Sequence, residues 1–197
     1  MNAPPVTGVV LAAGGSRRLG TPKQVLPYRD TTLLGATLQV ARRAGFDQLI
    51  VTLGGAAQAV RDAVALDGVD VVTPNLGANF GTGCSASLRV ALERVDPRAA
   101  GIVLMLGDQP CVEPATLRRI IAAAADITVC RYADGIGHPF WFSRNMFGEL
   151  SQLHGDKGVW KLVQSDRYPV RELEVDGPVP LDVDTWDDYR RLLESVP

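Results

Sequence analysis

Three short stretches carry the residues able to do chemistry: LAAGGSRRLGTPK (11–23), GDQP (107–110) and LDVDTWDDY (181–189). The first gathers Gly14, Gly15 and Gly20 with Ser16, Arg17, Arg18 and Lys23. Successive backbone N–H groups in a glycine-rich turn form an anion-binding nest, and guanidinium groups grip phosphate oxygens bidentately. A polyphosphate is the natural guest, because three cationic side chains held together repel unless an anion resides there. The alternative is an ordinary strand-to-helix turn whose arginines face solvent. Two known phosphate loops are excluded. Gly15 and Gly20 have Walker A spacing, but Thr21 and Pro22 follow and Lys23 arrives two places late. The GxGxxG fingerprint fails because Gly14 and Gly15 are adjacent.

In GDQP, Asp108 follows an apolar strand and is placed to hold a hard cation such as Mg2+, which takes oxygen ligands and bridges substrate phosphates. Capping the helix of PATLRRII is the competing role, although Asp108 sits early for it, and Pro114 suits that helix's first turn. In LDVDTWDDY, Asp182 and Asp184 alternate about Val183, so an extended backbone projects both carboxylates to one side. Such a pair repels unless a metal or a proton is shared. Thr185 caps the terminal helix in the other reading, with Asp187 and Asp188 at its positive end, and the two readings are compatible. Cys84, at a helix start, is either a thiol of lowered pKa or a small buried residue. His138 in GHPF has no nucleophile partner in the sequence, and Trp141 and Trp160 suit a core or a pocket wall.

The elements that position these residues show a βαβ rhythm. Apolar β-branched runs at 6–13, 49–54, 69–74, 101–107 and 127–132 alternate with helical patterns, as in TTLLGATLQVARRAG and CSASLRVALERV. Strands apolar on both faces imply a largely parallel sheet covered on both sides. Ligands of such sheets bind at the carboxyl ends of the strands, which puts the glycine loop and GDQP on one rim. After residue 133 the rhythm loosens into GIGHPFWFSR, a short helix near 147–153, GDKGVWKLV, a strand in YPVRELEV and a terminal helix. This last third extends the sheet and builds an acceptor pocket over the same rim.

The chain has 197 residues, 46% hydrophobic and 21% charged, which suits one domain over 1–197 with 1–5 as a flexible tail. A formal charge of −2 with scattered acids and bases excludes the basic face of a nucleic-acid binder. No run is apolar enough to span a membrane, and three widely spaced cysteines fit a reducing, cytoplasmic compartment.

Taken together, the motifs resemble those of the MobA-like nucleotidyltransferases, most closely the molybdenum cofactor cytidylyltransferases. LAAGGSRRLGTPK is similar to LAAGxSxRxGxxK, GCSASL to GMSxSL, and GDQP, GHP, GDKG and DVDTWDDY recur in the family's order across about residues 6 to 190. Cys84 stands where Met is usual, Trp160 where GDxGxR has Arg, and Trp186 where DxDTPEDY has Pro; Lys161 could replace the lost charge. The resemblance implies a single-domain Rossmann-like fold of the nucleotide-diphospho-sugar transferase type. It implies transfer of CMP from CTP to a molybdopterin-type cofactor with release of pyrophosphate, Mg2+ as cofactor, and a recipient molybdoenzyme as partner. By position, Leu11, Ala12, Ala13, Gly14, Gly15, Ser16, Arg18, Lys23, Asn75, Ser85 and Ser87 would bind nucleotide. Arg18, Lys23 and Asp108 would be catalytic, Asp108 and Asp184 would hold metal, and His138, Asp156 and Lys157 would lie near the acceptor. Ala13 matches the LAAG of the CTP-using branch, against LAGG in the GTP-using one; a methyl-sized contact discriminates by only about 10 to 200-fold. GTP as donor, another small phosphate as acceptor, or a nucleotide-binding accessory factor that delivers cofactor without turnover are the alternatives.

Overall fold

Strand β1 (Val6–Ala12) lies at the middle of a seven-stranded sheet because its residues are apolar on both sides: Val9 and Leu11 pack into one core, Val10 and Ala12 into the other. The computed structural model describes residues 3–74 and 83–195. After β1 come a short hairpin of β2 (Pro27–Tyr28) and β3 (Thr31–Thr32), helix α1 (Leu33–Ala44), β4 (Gln48–Leu53), α2 (Ala57–Ala63) and β5 (Asp70–Val72). Helix α3 (Cys84–Leu92), β6 (Gly101–Leu106), α4 (Pro114–Ala122) and β7 (Ile127–Tyr132) follow. The chain then forms β8 (Gly135–Ser143), α5 (Phe147–Ser151), α6 (Gly158–Val163), β9 (Val170–Glu174) and α7 (Trp186–Glu194).

The sheet order is β5-β4-β1-β6-β8-β7-β9. All neighbours are parallel except β8, which runs antiparallel to both β6 and β7. The five apolar runs of the first 132 residues are all strands, as the sequence predicts. GIGHPFWFSR departs from expectation: it is not loose chain but the longest strand, wedged between β6 and β7. Its burial on both faces supplies the reason, with His138, Phe140 and Phe142 on one side and Trp141 on the other. Helices α3, α5 and α6 cover the first face and α1, α2 and α4 the second. The mostly parallel sheet with helices on both faces agrees with the expected class.

Local signals set the element ends. Thr32 caps α1 by accepting from Gly35 N, and Gly45, left-handed at φ 82°, ends it. Pro114 opens α4. Thr185 and Asp188 form a capping box on α7. A third, smaller core of Leu19, Leu26, Tyr28, Leu33, Ala36, Val183 and Leu192 ties the loop after β1 to the segment before α7. This core brings two stretches more than 150 residues apart in sequence onto one rim. Residues 3–5 carry no regular structure, yet Pro5 already accepts a hydrogen bond from Ala100 N at 2.8 Å. Among the described residues no helix is long and apolar enough to cross a membrane.

Candidate active site

At the carboxyl ends of β1 and β6 lies a cleft of about 750 Å³. Strand β1 feeds Leu11 to Arg18 into it, β6 feeds Leu106 to Asp108, and the segment before α7 contributes Asp182 and Asp184. The chain runs outward from β1 to β4 and β5 and then returns to β6 on the other side of β1, so the strand order reverses between β1 and β6, the topological switch point at which open α/β sheets bind ligands.

The glycine loop is fastened by its own side chains. Ser16, left-handed at φ 48°, accepts from Lys23 N at 2.9 Å through Oγ, and its carbonyl accepts from Leu19 N and Gly20 N. Lys23 opens a single 3-10 turn after Pro22, so its ammonium enters the cleft from beyond the loop. Gln24, buried, donates from Nε2 to Ala12 O at 2.7 Å and to Gly14 O at 3.0 Å. Both carbonyls are thereby turned toward Gln24 and away from any anion in the loop.

Lys23 Nζ lies 2.5 Å from Asp108 Oδ2 and 2.9 Å from Asp184 Oδ1, and Arg18 Nη2 lies 2.7 Å from Asp184 Oδ2. Burial works to lower the Lys23 pKa, but the two carboxylates outweigh it and the net shift is upward. Hydrogen bonding to Lys23 holds Asp184 below the usual carboxylate range. Asp182, by contrast, is pushed up to about 6, first by desolvation and then by the negative charge of Asp108. The sequence expectation that the loop cations need a ligand anion is thus revised for two of the three: Asp108 and Asp184 already pair with Lys23 and Arg18.

Asp108 and Asp184 converge on one cation, which is the arrangement a divalent ion would require. Among the described residues no three His, Cys, Asp or Glu side chains gather to hold a metal by themselves. The donor set therefore fits a hard ion that completes its shell with phosphate oxygens and water, as Mg2+ and Mn2+ do.

The other expected residues divide. Ser87 and Asp156 line the cleft. Ser85 is turned from it, donating to Gly155 O at 2.6 Å and anchoring the GDKG loop on α3. Asp156 Oδ1 accepts from Cys84 N at 3.1 Å, so it caps α3. Lys157 is exposed and outside the cleft lining. His138 is 5% exposed, stacked on Phe140 at 4.1 Å with Trp160 at its edge, and burial lowers its pKa to about 3. It is a neutral core residue beneath the site. Trp141 is also core, its Nε1 donating to Ala125 O. Cys84 is exposed on the cleft rather than buried, and desolvation with Asp156 and Asp108 nearby raises its thiol pKa rather than lowering it. Asn75 lies outside the described residues. Sequence reading missed Gln24 and Gln109, both buried amides, and Gly54, which lines the cleft against Ala13.

This fold and cleft are those of a nucleotidyltransferase class, and the chain belongs to the MobA-like NTP transferase domain family, whose model matches residues 8–171. The family implies a nucleoside triphosphate substrate. Among individual proteins, the chain is similar to Rv0371c of Mycobacterium tuberculosis H37Rv, whose crystal structure is 74% identical with a TM-score of 0.92, covering 99% of this chain and 100% of that one. A manganese complex of Rv0371c matches at 73% identity and TM-score 0.88, covering 98% of this chain and 100% of that one. Purine catabolism protein PucB of Bacillus subtilis (strain 168) is 28% identical over 203 residues, 96% of each chain. Nicotine blue oxidoreductase of Paenarthrobacter nicotinovorans is 28% identical over 202 residues, 96% of this chain and 97% of that one.

Proposed function

We propose that this chain transfers CMP from CTP to the terminal phosphate of a molybdopterin-type cofactor, with Mg2+ held by Asp108 and Asp184 and pyrophosphate as leaving group. The observation that carries the reading is the single cation position shared by Asp108, Asp184 and Lys23 at the end of β6, facing a loop of free backbone N–H groups. The attacking phosphate is anionic near neutral pH, so the chain needs no general base. Its task is to align two anions and to neutralise charge developing on the α-phosphate. The backbone N–H groups from Ala13 to Ser16 cradle the triphosphate, and Gln24 keeps the neighbouring carbonyls out of that cradle. Lys23 and Arg18 move from the carboxylates to phosphate oxygens. Bound Mg2+ supplies Lewis-acid polarisation of the phosphoryl group there. Ser85 and Asp156 fix the GDKG loop against α3, and Lys157, exposed beside them, meets an incoming acceptor.

CTP is favoured over GTP because the Ala13 methyl, on a residue lining the cleft, would restrict a larger purine base. Pyrophosphate release measured with each of the four nucleotides, Mg2+ and molybdopterin bearing molybdenum tests donor and acceptor together. CTP turnover about 10 to 200-fold above GTP is expected from one methyl-sized contact. CTP binding without pyrophosphate release under any acceptor would instead make the chain a delivery factor for a molybdoenzyme.

A further inference from the structure

The segment from Val175 to Thr185 has no regular structure, yet it must hold Asp184 opposite Asp108. Val183 packs in the third core and Val179 N donates to Asp134 Oδ1, and two further kinds of tie act at the carboxylates themselves. The ionic ties run from Lys23 and Arg18 to Asp184. The neutral tie is Gln109, 2% exposed, whose Nε2 donates to Asp182 Oδ1 at 2.7 Å and to Pro180 O at 3.0 Å. Gln109 directly follows Asp108, so one amide joins the GDQP turn to the LDVD run. Among the described residues its Oε1 is buried without a hydrogen-bond partner, so the bonding of this side chain rests on Nε2.

The two kinds of tie differ in what substrate does to them. Lys23 and Arg18 face a polyphosphate and are drawn to it, leaving Asp184 without its ionic anchors at the moment the metal must be held. The Gln109 bonds involve no group that phosphate would attract. We propose that Gln109 is a positioning residue which sets the spacing of the Asp108 and Asp184 carboxylates when nucleotide is bound. The inference rests on the reading of Asp108 and Asp184 as metal ligands.

The test is Mn2+ binding followed by electron paramagnetic resonance in the presence of a non-hydrolysable CTP analogue, with thermal melting alongside. Gln109→Met keeps side-chain length and removes both donors together with the unpartnered oxygen. It should still fold, with a melting temperature lower by about 2–10 °C because two acceptors lose their donor, its Mn2+ Kd should rise about tenfold, and kcat should fall with KM for CTP unchanged at saturating metal. Should Gln109→Met fail to fold, Asp182 decides the matter from the other end of the bond. Asp182→Ala should weaken Mn2+ binding, and Asp182→Asn, which still offers Oδ1 as acceptor, should restore it. Wild-type Mn2+ affinity in Gln109→Met, or equal losses in Asp182→Ala and Asp182→Asn, would overturn the proposal. Asp184→Asn separates the two readings: if it too binds Mn2+ like wild type, the metal assignment fails, whereas its loss beside an intact Gln109→Met sinks the positioning role alone.

Discussion

Replacing Lys23 by methionine is expected to tighten Mn2+ binding to the nucleotide-free protein, although it removes a residue to which the proposed reaction assigns phosphate neutralisation. The ammonium occupies the position between Asp108 and Asp184 that the ion would take. The Lys23–Asp108 bond is 2.5 Å long and joins side chains only 16% and 11% exposed. A charge-assisted hydrogen bond in such surroundings contributes about 1.5–3 kcal/mol. The second bond reaches Asp184, whose side chain is 45% exposed, and solvent screening holds its share to below about 1 kcal/mol. An ion that takes both carboxylates displaces the ammonium at a cost of about 2–3 kcal/mol, which at about 1.4 kcal/mol per tenfold is roughly 30 to 150-fold in affinity. Paramagnetic resonance titration of Mn2+ into wild type and Lys23→Met, without nucleotide, reads this difference directly. With CTP present the order should reverse, because the lysine then neutralises phosphate instead of competing for the carboxylates. Equal or weaker Mn2+ binding by nucleotide-free Lys23→Met would refute the reasoning.

Three further perturbations have defined outcomes. A Cβ on Gly54 would lie 2.3 Å from Ala13 O, so Gly54→Ala must push the backbone of the nucleotide loop; a raised KM for CTP with a loss of about 1–3 kcal/mol in urea unfolding is expected. Thr185→Ala removes the hydroxyl that accepts from Asp188 N at 3.2 Å, which should cost about 1 kcal/mol, lower the melting temperature by about 2–4 °C and weaken metal binding through Asp184 next to it. On the acid side, His138 is depressed to about 3 by burial, so the unfolded chain binds a proton below about 6.5 that the folded one refuses, and stability falls as pH drops, by up to about 1.4 kcal/mol per unit. Asp182, raised to about 6, acts in the opposite sense, since the folded chain holds its proton between about 4 and 6; of the urea midpoints at pH 7.5 and 5, the pH 5 value should therefore become the higher in His138→Gln, and the two should separate further in Asp182→Asn.

The parts of the fold legible in the sequence are those that one period reveals. The runs of β1, β4, β6 and β7 are apolar on both faces, and the Thr185 and Pro114 signals mark the starts of α7 and α4. Strand β8 escaped because Gly135, Gly137 and Pro139 read as loop punctuation and break the continuous apolar run that marks the other strands buried on both faces. Its direction is carried by no local pattern. That error explains the placing of His138 as well: in a strand, positions 138, 140 and 142 share a face, so the imidazole goes into the core with Phe140 and Phe142. In the site, charged residues in short motifs were legible by type. Gln24 and Gln109 were not, since an uncharged amide reveals its use only when carbonyls brought by the fold stand in reach.

On the proposed reading, the charge balance of the cleft predicts that nucleotide and metal bind together. Its lining carries Arg17, Arg18 and Lys23 against Asp108, Asp156, Asp182 and Asp184, three cations to four acids, of which Asp182 is partly protonated near neutral pH. Residues 75–82, NLGANFGT, add no charge. A cationic loop read from sequence alone suggests that the triphosphate is attracted by side chains. In the folded chain Lys23 and Arg18 are already paired, and a bare triphosphate would bring its charge into a cleft lining that has no surplus of positive charge to receive it. A divalent ion held by Asp108 and Asp184 would change both sides of this balance, because Lys23 and Arg18 would be free of the carboxylates and part of the phosphate charge would be offset. The loop that resembles a complete phosphate site is therefore half of one, and the aspartates more than 80 residues away supply the condition under which the other half works.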